Sequence, residues 1–313
     1  MDRLFSDEKM PPHLRGGIVA LGNFDGFHLG HQAVVGHAVE KAAEDGRPVV
    51  IATFDPHPAR FFRPDAPPFR LTSLDQRERL FAAAGADAML VFRFDEALAA
   101  TGAEDFVRLL VERMGAVGVV TGADFTFGKA RGGSVTTLSE LGTAMGFTVR
   151  AVDPVMDDEG LVVSSSRIRT ALQGGDCATA TRLLTRPFAV EGAVMHGDKV
   201  GRELGYPTAN VDMGEYLRPA YGVYAVRGRL ADGRVVDGAA NLGIRPQFEP
   251  PKELLEPYFF DFSGDLYGQL VEVHLIERIR GEAKFAGLDA LKAQIARDCE
   301  TARHILAEHA RLA

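Results

Sequence analysis

Continuous apolar runs alternate with amphipathic stretches through the first half of the 313-residue chain. Ile18–Leu21, PVVIATF (48–54), AMLVFRF (88–94), AVGVVTG (116–122) and FTVRAV (147–152) read as strands with no polar face. Between them, a segment from about His31, then SLDQRERLFAAAG, AEDFVRLLVERMG and VTTLSELGTAMG, carry helical periodicity. Strands without alternation, separated by helices of 10–15 residues, predict a parallel sheet covered on both faces. From Phe188 the texture changes to short alternating runs: FAVEGAVMHG, YGVYAVRGRL, RVVDGAANLG, ELLEPYFFDF and QLVEVHLIERI. Asp232-Gly233 lies between two of these and is a hairpin signal. The expectation is a Rossmann-like α/β half followed by a small antiparallel β-barrel. A closing helix should bury Leu288, Leu291, Ile295, Ala302, Ile305 and Leu306 on one face. Pro187 interrupts the helical pattern near 184–187, so the expected domains are 1–184 and 185–313.

Composition narrows the function without naming it. Length favours two domains, and 46% hydrophobic with 25% charged residues is ordinary for a globular protein. Up to residue 183 there are 19 basic against 24 acidic residues, and 16 against 19 after it. Neither half is basic, which argues against a nucleic-acid carrier but not against a small anionic substrate. Cys177 and Cys299 form no metal-binding or disulfide pattern and suit a reducing cytoplasm. No apolar run suggests a signal peptide or a membrane span. The oligomeric state is open, a homo-oligomer included.

GNFDGFHLGH (22–31) follows the first strand directly. Gly22, Gly26 and Gly30 allow close backbone approach, and the helix beyond presents unpaired N–H groups to an anion. His28 and His31, three apart, can face one point at the helix entrance, where charge builds on a phosphoryl group during displacement. A zinc site would need further ligands at suitable spacing, and a dinucleotide fold would show GxGxxG. GADFTFGKA (122–130) has one residue too many between its glycines for a P-loop and puts Ala130 where Ser or Thr should be.

These segments, with TFDPHP (53–58), GADFTFGKARGG (122–133) and VSSSRIR (163–169), resemble the adenylyltransferase half of bacterial bifunctional riboflavin kinase/FAD synthetases. HGDKVGRELGYPTAN (196–210), PAYGVYAV (219–226), NLGIRP (241–246) and DFSGDLYGQ (261–269) are similar to the kinase half. For the first half the resemblance implies transfer of AMP from ATP to FMN. His28 and His31 would hold phosphates, and Gly22, Asn23, Phe24, Asp25 and Gly26 would shape the nucleotide loop. Ser164, Ser165 and Arg169 would grip phosphates. Asp124, Phe125 and Phe127 would lie beside flavin or adenine, against the alternative that the phenylalanines are core.

GYPTAN places Thr208 and Asn210 at alternate positions of one strand, two hard oxygen donors suited to Mg²⁺ after Pro207. Lys199 and Arg202, flanked by Gly197 and Gly205, form a loop able to fold over a nucleotide. The resemblance implies a proton-accepting glutamate that maps to Glu256, with Glu249 and Glu253 also in reach along the chain. Pro257, Tyr258 and Gln247 depart from a common form of the pattern, and Pro257 should occupy an edge or a bulge. The expected whole is riboflavin to FMN to FAD, with ATP as co-substrate, no nucleic acid and no membrane. The alternatives are activity in one half only, or a non-catalytic flavin- and nucleotide-binding regulator.

Overall fold

The computed structural model describes residues 1–196, 205–245 and 252–312. Its elements run β1 (Asp2–Phe5), β2 (Ile18–Leu21), α1 (Leu29–Asp45), β3 (Val49–Asp55), α2 (Pro58–Phe62), α3 (Leu74–Ala83), β4 (Ala88–Arg93), α4 (Glu96–Ala100), α5 (Ala103–Arg108) and β5 (Gly118–Gly122). They continue with β6 (Thr126–Phe127), β7 (Gly133–Ser134), α6 (Val135–Met145), β8 (Thr148–Val152), α7 (Ser165–Gly174), α8 (Cys177–Leu184), β9 (Phe188–Met195) and β10 (Asn210–Asp212). The last are β11 (Gly222–Leu230), β12 (Val235–Arg245), β13 (Lys252–Phe259), β14 (Leu270–Arg280) and α9 (Leu288–Leu312). Two compact units result: Met1–Pro67 with Leu74–Ser164, and Pro68–Ser73 with Ser165–Ala313.

In the first unit the strands form one parallel sheet in the order β1-β4-β3-β2-β5-β8. Alternate residues of each strand feed opposite cores. Ile18 and Ala20 meet Val34, Val35 and Ala38 of α1 and Phe81 of α3, whereas Val19 and Leu21 meet Phe106, Leu110 and Leu138. Burial on both faces is why these strands read as unbroken apolar runs. The chain leaves β2 for β3 on one side and later returns to β5 on the other, so the end of β2 is a switch point, where α/β sheets bind ligands. Some elements were not legible: the polar-looking DRLF forms β1 beside β4, α2 and α4 are short helices without a long periodic pattern, and the glycine-rich stretch from 122 leads into the β6–β7 hairpin.

The second unit is a closed antiparallel barrel, β10-β13-β12-β11-β14-β9. Its lumen is filled by one face of the strands: Val211, Leu255, Phe259, Leu242, Tyr224, Val226 and Val273 are all buried. Gly228 lies in that layer because a Cβ there would stand 2.4 Å from the Phe259 ring. The outer face carries Ala225, Ala239 and Ile276, on which Ala302 and Leu306 of α9 pack. The sequence places Leu288 on that buried stripe too, but it is 65% exposed. Asp298 is instead the polar anchor of the helix, pairing with Arg280 at 2.7 Å.

The barrel also revises the expectation for Pro257. With the ring of strands closed, Pro257 sits within β13 opposite Ala240. Its carbonyl accepts from Ala209 N–H at 2.9 Å, so its missing N–H faces the same neighbour. The β10–β13 ladder is short and stops there, which is how an interior proline is accommodated.

Candidate active sites

Gly22 to His28 connect β2 to α1 and carry unusual backbone. Phe24 has φ 51°, Phe27 φ 45° and Gly26 φ 90°. A left-handed phenylalanine is strained and persists only where its surroundings over-determine it. Here both rings are buried against Phe81 of α3, at centroid distances of 5.8 Å and 5.1 Å. Phe24 therefore shapes the loop through its backbone, its ring being core. The Asn23 carbonyl accepts from Thr53 Oγ1 at 2.8 Å and from Arg77 at 3.3 Å, while Gln32 donates to the Phe27 carbonyl at 2.9 Å. Asn23 Oδ1 is buried with no hydrogen-bond partner among the described residues. Asp25 is buried at the base of the same loop.

His28 is the N-cap of α1, its Nδ1 accepting the His31 N–H at 3.4 Å. An accepting Nδ1 leaves the proton of the neutral ring on Nε2. The two imidazoles stack, centroids 3.6 Å apart and planes 20° off parallel. Gly30 allows this, since a Cβ there would lie 3.2 Å from His28 Cε1. The helix begins at Leu29, earlier than its periodicity suggests, because a capping histidine leaves no apolar trace. Stacked imidazoles thus stand at the positive end of a 17-residue helix, an arrangement suited to phosphate.

Asp124 is exposed and Phe125 half-buried on the β6 side. Phe127 is not a surface ring: it is buried against Phe106, and a Cβ on Gly133 would meet it at 2.8 Å. Ser164 ends the first unit, and Ser165 opens α7 in the second. Arg169, one turn on, donates from Nε to the Phe69 carbonyl at 2.9 Å and lies over the Phe69 ring.

In the second unit, strand register assembles the polar groups. Val211 pairs with Leu255, and one step along this register sets Asn210 opposite Glu256. On its other side Glu256 pairs with Asn241, whose Nδ2 donates to Glu256 Oε2 at 3.4 Å. Asn210, Glu256 and Asn241 therefore share the outer barrel face on three adjacent strands. Asn210 is buried and Thr208 half-buried, two residues earlier and outside β10 proper. Tyr206 meets the ring of Tyr258, and Gly205 is left-handed with φ 86°. Pro207 is exposed. Gly197, Lys199, Arg202, Gln247 and Glu249 lie outside the described residues.

Glu253 is already engaged elsewhere. Arg218 Nε donates to it at 2.7 Å and Tyr221 donates to its other oxygen. Burial would raise this carboxyl, but the Tyr221 and Arg218 hydrogen bonds outweigh it and hold it below its usual range. Asn241 is the residue that motif reading passed over; its asparagine in NLGIRP acquires meaning only through pairing with Glu256. Thr53 and Arg77 were likewise invisible as partners of the glycine loop.

A hydroxyl and a side-chain carbonyl are hard donors that fit Mg²⁺. Among the described residues no group of three or more His, Cys, Asp or Glu gathers as a metal cluster.

Comparison with known proteins connects both units to flavin chemistry. The FAD synthetase family profile matches residues 10–167 and the riboflavin kinase profile residues 184–306. A bifunctional riboflavin kinase/FMN adenylyltransferase of Pseudomonas fluorescens is 40% identical over 301 residues, covering 96% of both chains. The protein of that name from Escherichia coli K12 is 39% identical over 289 residues, covering 92% of each. A crystal structure from Streptococcus pneumoniae, named a macrolide-efflux protein, is similar with TM-score 0.86 and 31% identity over 97% of this chain and 99% of that one. Among the described residues no helix is long and apolar enough to cross a membrane. With matches in this order over nearly all its length, the chain belongs to the bifunctional riboflavin kinase/FMN adenylyltransferase family.

Proposed function

We propose that the chain makes FAD in two ATP-dependent steps, with residues 185–313 converting riboflavin to FMN and residues 1–184 converting FMN to FAD. In the kinase step the primary hydroxyl of riboflavin attacks the γ-phosphorus of ATP and ADP leaves. Glu256 takes the hydroxyl proton, and the Asn241 amide orients its carboxylate. Thr208 and Asn210 would hold Mg²⁺, which when bound neutralises phosphate charge. Lys199 and Arg202 would offset the charge of the nucleotide phosphates.

In the second step the FMN phosphate attacks the α-phosphorus of ATP and pyrophosphate leaves. No protein nucleophile is needed, so positioning and charge stabilisation carry the reaction. His28, donating from Nε2, and His31 would stabilise charge at the transferred phosphoryl group. The family resemblance assigns Ser164, Ser165 and Arg169 to gripping phosphates. Asp124 and Phe125 would border the flavin or adenine. A cytoplasmic location is part of this reading, supported by the small-molecule substrates.

The observation that carries this reading is the presence of two different polar sites, a stacked His28–His31 pair and a Glu256 flanked by asparagines, each on a unit with its own family match. Pro257 points into the barrel and leaves Glu256 on the outer face, so the departure there does not argue for a silent kinase. The test supplies riboflavin, ATP and Mg²⁺ to the purified protein and resolves the flavins by chromatography. His28→Ala should abolish FAD yet leave FMN formation, and Asn210→Ala should stop FMN formation yet leave FAD formation from added FMN. Neither product from the unaltered protein would favour a non-catalytic binder.

A further inference from the structure

Arg77 is a full positive charge that is 3% exposed, and the reactions above give it no part. Burying a guanidinium is costly unless its donors are matched, so its partners show what it is for. Nη1 donates to Thr53 Oγ1 at 2.8 Å and to the Asn23 carbonyl at 3.3 Å, and Nη2 lies 3.7 Å from Asp55 Oδ1. Thr53 Oγ1 donates in turn to the same Asn23 carbonyl at 2.8 Å. Two donors from separate elements thus converge on one carbonyl in the middle of the glycine loop.

Fixing that carbonyl fixes more than one atom. In a trans peptide the C=O of Asn23 and the N–H of Phe24 point opposite ways. With the carbonyl drawn toward β3 and α3, the Phe24 N–H is turned away from them. Among the described residues no group accepts from that N–H. The following residue conformation, φ 51° at Phe24, needs such restraint. Phe81, one helical turn beyond Arg77 on α3, clamps the two left-handed phenylalanines from the same side.

We propose that Arg77 is a positioning residue for adenylyl transfer: through the Asn23 carbonyl it sets the loop that leads into His28 and aims the Phe24 N–H at the phosphate. It touches no reacting atom. This rests on the assignment of the His28 site to FAD formation, and the test separates the two.

Arg77→Met, Arg77→Lys and Thr53→Val are made in the full chain, with His28→Ala as control. FAD formation is measured from FMN against ATP, and FMN formation from riboflavin in the same samples. Arg77→Met should lower kcat for FAD by about 10- to 100-fold, since misplacement by about 1 Å can cost 10²-fold. KM for ATP should stay within about twofold, and FMN formation should be unchanged. Arg77→Lys should recover part of the loss, and Thr53→Val should lower the same kcat by less. Unchanged kcat in Arg77→Met, no rescue by lysine, or equal loss of both activities would overturn the proposal. If Arg77→Met does not fold, Thr53→Val decides, because it keeps the charge and removes one tether; an unchanged kcat there overturns the proposal. Should His28→Ala still make FAD, the site assignment fails and the proposal with it. Should it make none while the other variants keep full kcat, only the role of Arg77 falls.

Discussion

Replacing Gly30 by alanine sets a methyl group against the ring of His28. The added Cβ would lie 3.2 Å from Cε1 and 3.3 Å from Nδ1. A relaxed carbon contact needs about 3.6 Å or more, so the ring must retreat by roughly 0.4 Å. The ring is not free to move at will, because His31 is stacked on it with centroids 3.6 Å apart. The bond from His31 N–H to His28 Nδ1, already 3.4 Å, should break. Losing a cap costs about 1 kcal/mol, while alanine gains up to about 1 kcal/mol over glycine in a helix. Stability should therefore change by less than about 0.5 kcal/mol in either direction, whereas a displaced imidazole should lower FAD turnover by about tenfold. Chromatography of flavin products, with melting followed by circular dichroism, reads both quantities on one sample. FMN production from riboflavin is the internal control. Undiminished FAD turnover would refute the reasoning, as would a loss shared by both products.

Asn241→Ala should slow FMN formation by about tenfold without altering FAD formation from supplied FMN, because it removes the amide that orients Glu256; equal loss of both rates would contradict this. Phe81→Ala should destabilise the first unit by about 3–5 kcal/mol in denaturant titration, since it empties the contact that holds Phe24 and Phe27. Gly228→Ala should destabilise the barrel by about 1–3 kcal/mol, the new methyl standing 2.4 Å from Phe259. Burial pushes the Cys177 thiol up to about 12 and the Cys299 thiol up to about 11, so the reactive thiolate is scarce in both at pH 8. Alkylation of the folded chain should be slow at pH 8 and rise with pH, first at Cys299. The Glu253 carboxyl, held low despite burial chiefly by Tyr221 and Arg218, contributes stability that is present at neutral pH and lost as pH falls through its depressed value. Glu253→Gln should flatten that acid limb in melting curves taken at descending pH.

Patterning alone set out the two halves of this protein, because burial on both faces of a parallel sheet leaves unbroken apolar runs and a barrel leaves alternating ones. The glycine frame, the paired histidines and GYPTAN were also legible, since each is a local motif with a stated chemistry, while TFDPHP was legible only as part of a family resemblance. What the chain could not disclose locally was which distant groups meet. Arg77 reaches the Asn23 carbonyl across 54 positions, and Asn241 reaches Glu256 across 15, through pairings that depend on how strands and helices pack. The same holds where packing overruled a local signal. Phe127 became core and Leu288 stayed in solvent, because periodicity describes the faces of an element and only neighbours decide which part of a face is covered. Sequence determined the long elements and the chemical groups they carry; strand register and burial decided the short strands and which groups share a site, because both are properties of contacts between segments far apart in the chain.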